Sequence, residues 1–220
     1  MTESAWRDLV LLSFCWIGYF TLHSALASLA VKRRAAAAWP NLMPYYRLAF
    51  NALALLLILP ILWLTYHNTE PMLWRWQGIA AWLANGLALA AIFGFWQSLE
   101  SYDMREFFGL RQLLVHVRRV EDQEHFRLSP FHRFVRHPWY FFALVVIWTR
   151  DMSVTTLLSS AFITLYFFVG SRLEEKKLLV YHGDTYRRYM ARVPGLIPLP
   201  WRFLSAEEAG ALLKQDSETE

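Results

Sequence analysis

Three apolar runs, residues 9–31, 48–65 and 78–98, are each long enough to cross the roughly 30 Å core of a bilayer as a helix. In hydrocarbon every peptide N–H and C=O must find its partner inside the chain, and runs of this length select helices over a closed barrel. Only 18% of the 220 residues are charged and 56% are hydrophobic. A soluble domain carries about a quarter charged residues. The expected fold is therefore all-α, an integral membrane helical bundle.

Later segments are less regular. Pro60 falls inside the second run and predicts a kink. Residues 35–44 read as a connector. Over residues 105–120, Phe107, Leu110, Leu114 and Val117 alternate at helical spacing with Arg105, Arg111, Arg118 and Arg119, which predicts one amphipathic helix on the bilayer surface. The apolar stretch 138–148 would rise about 17 Å, too short to cross alone. Arg150-Asp151 makes a turn, with Ser153 a candidate N-cap. From residue 154 helical spacing runs to a stop at Gly183, about 43 Å, so the last turns should leave the hydrocarbon carrying Arg172, Glu174 and Glu175. Asp184 could cap one more short helix, ended by Pro194.

Together these predict one compact unit of about five transmembrane segments with a C-terminal helical hairpin. We divide it into N-terminal membrane helices on the substrate side (1–104), an interfacial helix, hairpin and cofactor region (105–205), and a frayed polar tail (206–220).

Charge sets the orientation. If the N-terminus lies outside, every Lys and Arg except Arg7, Arg75 and Arg150 falls on the cytosolic side. This predicts a bacterial inner-membrane protein with its C-terminus and a cofactor pocket in the cytosol, in contact with membrane lipid. The first run lacks a preceding positive charge, so it reads as a retained helix and not a cleaved signal. No nucleic-acid motif is present. The lone Cys15 cannot form an internal disulfide. His116, His125, His132 and His137 match no tight metal motif, so no metal is expected, and a haem or metal-binding assembly factor is the weakest alternative. Nothing in the sequence specifies an oligomeric state.

Polar residues gather at one end of the hairpin: Arg136, His137, Tyr140, Arg172, Glu174, Glu175, Tyr186 and Tyr189. Ionisable groups at a membrane boundary are costly unless they bind something. Carboxylates suit an ammonium group or ribose hydroxyls, arginine suits a carboxylate, and aromatic faces suit a sulfonium or an adenine. Those are the parts of S-adenosylmethionine.

Arg136-His137-Pro138-Trp139-Tyr140, Glu174-Glu175, Gly183-Asp184-Thr185-Tyr186-Arg187-Arg188-Tyr189 and Val193-Pro194, in this order around a hairpin, resemble the C-terminal half of the isoprenylcysteine carboxyl methyltransferase family. The N-terminal half, through His23-Ser24, Tyr46-Arg47, Phe50-Asn51 and Phe108-Gly109-Leu110-Arg111-Gln112, is similar to a bacterial branch that includes methanethiol S-methyltransferases. The resemblance implies that S-adenosylmethionine is bound by His137, Tyr140, Glu174 and Glu175, and also by Arg136, Arg172, Tyr186 and Tyr189. It implies a small thiol or other small hydrophobic acceptor. A thiol would need a base, for which His23 is the first candidate and Glu100 and Asp103 the reserves.

Two enzyme alternatives stand beside this one. The acceptor could be a prenylcysteine carboxylate. A membrane NADPH-dependent reductase of the sterol reductase type shares an Arg-His-Pro-x-Tyr hairpin, but two consecutive carboxylates would repel the cofactor's extra phosphate.

Overall fold

The computed structural model describes residues 3–67, 71–100, 103–115 and 128–219. Among them, four helices are long and apolar enough to cross a membrane. They are α1 (Glu3–Ala27), α3 (Met43–His67), α4 (Gly78–Leu99) and α8 (Val154–Arg192). Between them lie α2 (Leu29–Ala38), α5 (Met104–Phe108), α6 (Leu110–Leu114) and α7 (Pro138–Trp148), and α9 (Ala206–Thr219) follows. Among the described residues, the strands are a short antiparallel pair, β1 (Met72–Trp74) with β2 (Met152–Ser153). The all-α membrane bundle is thus observed, with α7 as the short apolar segment. Trp82 and Ile79 on α4 are 81% and 79% exposed, which suits a surface solvated by lipid.

The contacts form two compact units where the length suggested one: Met1–Trp74 with Asp103–Gln123 and Met152–Phe162, and Arg75–Tyr102 with Glu124–Asp151 and Ile163–Glu220. In the first, α1 packs on α3 around buried Leu12, Trp16 and Ile61. A buried hydroxyl seam joins these helices to the start of α8. The Trp16 indole donates to Ser159 Oγ at 3.0 Å, Thr65 and Ser159 hydroxyls meet at 2.8 Å, and Thr155 donates to the Thr65 carbonyl at 2.9 Å. Each polar group in the seam finds a partner, as an apolar surround demands.

Two sequence expectations change here. The connector at 35–44 is helical through Ala38, because Ser28 caps α2 by accepting from the Val31 N–H. The single amphipathic helix is broken at Gly109, whose φ of +85° only glycine adopts freely. Arg47 and Asn51 of α3 both donate to the Phe107 carbonyl, at 3.2 and 3.0 Å, and fix that break in place. Val117, Arg118 and Arg119 lie outside the described residues, as do His116 and His125.

In the second unit a stripe of small residues on α4, Ala84, Ala88, Ala91, Gly94 and Ser98, is buried, and α4 packs on α7. A Cβ on Gly94 would stand 2.7 Å from the Phe142 ring, so the approach requires glycine. The Trp139 indole donates to Ser98 Oγ at 2.7 Å. Helix α7 begins with Pro138 at its first turn, where a missing N–H costs nothing. Helical geometry in α8 is interrupted at Gly183, at φ +47° and ψ −120°, and a second helical stretch runs from there to Arg192, matching the expected stop and the short helix that follows it. The polar tail is helical instead of frayed: Ser205 and Glu208 cap α9, and Leu204, Ala209 and Leu212 join a core cluster with Tyr186, Tyr189 and Val193.

Candidate functional site

The hairpin of α7 and α8 is antiparallel, as three side-chain contacts along it show. Trp148 donates to Thr164 at 3.0 Å, Tyr140 stacks on Phe167 at 4.6 Å, and His137 meets Glu174 and Glu175. The start of α7 therefore lies beside the acidic pair, as the sequence predicted.

Backbone pairing holds this end shut. The Arg136 N–H donates to the Pro194 carbonyl at 2.8 Å and the His137 N–H to the Gly195 carbonyl at 3.1 Å. The Arg136 guanidinium then reaches Glu175 Oε1 through Nε at 2.8 Å and Nη2 at 2.7 Å. Its Nη1 donates to the carbonyls of Met190 at 3.0 Å and Val193 at 2.6 Å. Both side chains of the ion pair are buried, Arg136 at 8% and Glu175 at 4% exposure.

His137 bridges the two acids, with Nε2 3.2 Å from Glu175 Oε1 and Nδ1 3.5 Å from Glu174 Oε2. Burial disfavours its charged form, but hydrogen bonds and charge from both carboxylates outweigh this and raise its pKa above the ordinary value. Tyr140 stacks on the His137 ring at 5.4 Å and donates to Glu174 Oε2 at 3.3 Å. Glu174 itself remains 43% exposed. Arg172, 59% exposed, stands 3.9 Å from Glu175 Oε2.

Six of the eight residues singled out from the sequence, Arg136, His137, Tyr140, Arg172, Glu174 and Glu175, thus form one constellation. Tyr186 and Tyr189 sit in the core cluster, each 2% exposed; Tyr186 lies within reach of the charges of Glu175, Arg136 and Glu174, and the Tyr189 hydroxyl donates to the His132 carbonyl at 2.7 Å.

His132 is the neighbour that the sequence did not single out for this site. Its Nδ1 accepts from the Ser129 N–H at 3.1 Å, inside a capping box at the turn Pro130–Arg133. Its pKa is pushed down to about 4, by burial first and then by the charge of His137, with Glu174 opposing. The Ser129-x-x-His132 spacing is the signal that marks the cap.

The candidate bases divide between the two units. His23, in the first unit, stacks on Tyr19 at 5.6 Å and meets Phe50 at 4.8 Å. Asp103, also in that unit, is occupied as the N-cap of α5, accepting from the N–H groups of Arg105 and Glu106 and pairing with Arg111 at 3.2 Å. Those backbone bonds and Arg111 hold its carboxyl below the usual range, which makes it a poor proton acceptor. Glu100 is exposed at the end of α4 in the second unit. Among the described residues, no group of three or more His, Cys, Asp or Glu is placed to hold a metal ion.

No family model and no solved structure matches the chain. Several curated proteins do. Methanethiol S-methyltransferase 2 of Bradyrhizobium diazoefficiens is 31% identical over 196 residues, 87% of this chain and 74% of that protein. The methanethiol S-methyltransferase of Crocosphaera subtropica is 30% identical, over 83% of this chain and 72% of its own length. That of Mycobacterium tuberculosis is 31% identical over 88% and 80%. Helical membrane fold and likeness together define an integral membrane methyltransferase, in accord with the bacterial branch that the motifs resemble. The chain belongs to the methanethiol S-methyltransferase family.

Proposed function

We propose that the chain is an S-adenosylmethionine-dependent methyltransferase acting on a small thiol or a similarly small hydrophobic acceptor. The observation that carries this reading is the divided acidic pair: Glu175 sealed at 4% exposure, Glu174 43% exposed beside His137 and Tyr140. The residues present fit the donor. An exposed carboxylate suits its ammonium group, the exposed Arg172 suits its carboxylate, and the Tyr140 ring suits a cation. When bound, S-adenosylmethionine supplies a sulfonium-activated methyl group open to in-line displacement. Glu174, Tyr140 and Arg172 would bind and orient it, and rate would come chiefly from that orientation.

A thiol acceptor is favoured by the relatives' names, which specify methanethiol as their substrate. A thiol of pKa about 8.5–10 needs only modest help to lose its proton. We assign that help to His23, with Glu100 next; Asp103, committed to its cap, ranks last. From the distribution of Lys and Arg we assign the site to the cytosolic side, with the N-terminus outside.

Calorimetry on detergent-purified protein tests this. S-adenosylmethionine and S-adenosylhomocysteine should bind, Glu174→Gln should weaken both about tenfold, and methanethiol should yield dimethyl sulfide. Tight NADPH binding with no binding of either adenosyl compound would overturn the reading in favour of a reductase.

A further inference from the structure

Two consecutive residues on a helix point about 100° apart, and although His137 reaches both carboxylates, Glu175 is buried and Glu174 is 43% exposed. What decides between them is Arg136. Its Nε–H and an Nη2–H go to Glu175 Oε1, and both Nη1 hydrogens go to the carbonyls of Met190 and Val193. A Cβ on Gly195 would lie 3.3 Å from Arg136 Nη2 and 3.7 Å from Glu175 Oε1, so the peptide backbone covers the pair closely. Met190 and Val193 lie at the end of α8, where helix carbonyls lack intrahelical partners. Glu175 precedes the bend at Gly183 and Met190 follows it. One guanidinium therefore fastens both halves of α8 across its bend.

We propose that Arg136 is a positioning residue: it clamps Glu175 to the end of α8 and thereby aims Glu174 at the ligand, without touching the ligand itself. This rests on the methyl-donor reading above. Arg136 keeps the rotation of α8 fixed at Glu175, and the fixed rotation turns Glu174 toward Tyr140 and His137. Arg172, whose guanidinium is exposed, is left as the cation for a ligand carboxylate.

The test sets residue against ligand group. Full-length wild type, Arg136→Lys and Gly195→Ala are titrated by calorimetry with S-adenosylhomocysteine and with decarboxylated S-adenosylmethionine, which keeps the ammonium and lacks the carboxylate. Arg136→Lys should weaken both ligands by the same factor, about tenfold. Gly195→Ala, which presses on the clamp from outside it, should weaken both equally by a few-fold. If Arg136→Lys weakens only the carboxylate-bearing ligand, Arg136 grips that carboxylate directly and the proposal is overturned.

A second readout needs no ligand. Removing the Arg136 charge in Arg136→Gln frees Glu175 for His137, so the His137 titration followed by NMR should move upward. An unmoved titration overturns the clamp. Failure of the wild type to bind either adenosyl compound overturns the donor reading, and with it the aim assigned to Glu174, while the His137 titration still decides the clamp.

Discussion

His132 and His137 stand five positions apart and titrate in opposite directions. His137 lies between two carboxylates; His132 accepts a backbone N–H on Nδ1, which leaves its proton on Nε2 in a buried, neutral ring. For His132 the folded pKa of about 4 lies below the unfolded 6.5, so the unfolded chain takes up the proton first and stability falls as pH drops from 6.5 towards 4. The full difference of 2.5 units corresponds to about 3 kcal/mol. His137 has the reverse sign: its contribution is present below 6.5 and lost as pH rises through its raised folded pKa. Thermal unfolding in detergent between pH 4 and 9 should show His132→Gln flattening the acid limb and His137→Gln flattening the alkaline one. A variant that leaves its limb unchanged shows that the titrating group is another. The Arg136-His137-Pro138 and Glu174-Glu175 motifs were legible as a candidate site because ionisable residues at a membrane boundary are conspicuous. His132 was not, since its role depends on the Ser129 cap, and neither was the division of labour within the acidic pair, which depends on carbonyls at the end of α8.

At the scale of elements, apolar length alone gave the bounds of α4 and α7 closely, Gly78–Leu99 and Pro138–Trp148. It could not show how they meet. The small residues of α4 look unremarkable in a membrane helix until Phe142 of α7 fills the space over Gly94. Gly94→Ala places a methyl against that ring and should cost about 1–3 kcal/mol of stability. In a Phe142→Ala background the same change should cost little, because the obstructing ring is gone. Unfolding of the four proteins in one detergent measures the coupling; equal losses in both backgrounds would remove the Phe142 contact as the cause. The overextended reading of 105–120 has a similar origin. Helical spacing continues through Gly109, and only the anchoring of the Phe107 carbonyl by Arg47 and Asn51 reveals that the chain turns there.

For the whole molecule, the fold and the proposed chemistry make one joint demand on orientation. The antiparallel hairpin sets His137 at the same end as Glu174, and the chain runs on from there through α9. Helix α7 rises only about 17 Å over 11 residues, yet α8 rises about 43 Å before its bend, so the acidic pair lies at the end where α8 outlasts the hydrocarbon. The proposed adenosyl donor would arrive from water on that side. On the proposed orientation that side is the cytosol, with only Arg7, Arg75 and Arg150 of the Lys and Arg residues opposite. The chain has one cysteine, Cys15, so replacing it by Ala gives a clean background for labelling. In intact cells an impermeant maleimide should then react with Glu3→Cys and leave Gln215→Cys unmodified until the membrane is opened. The reverse pattern would put the acidic pair outside the cell, away from any intracellular methyl donor, and would count against the proposed reaction as well as the orientation.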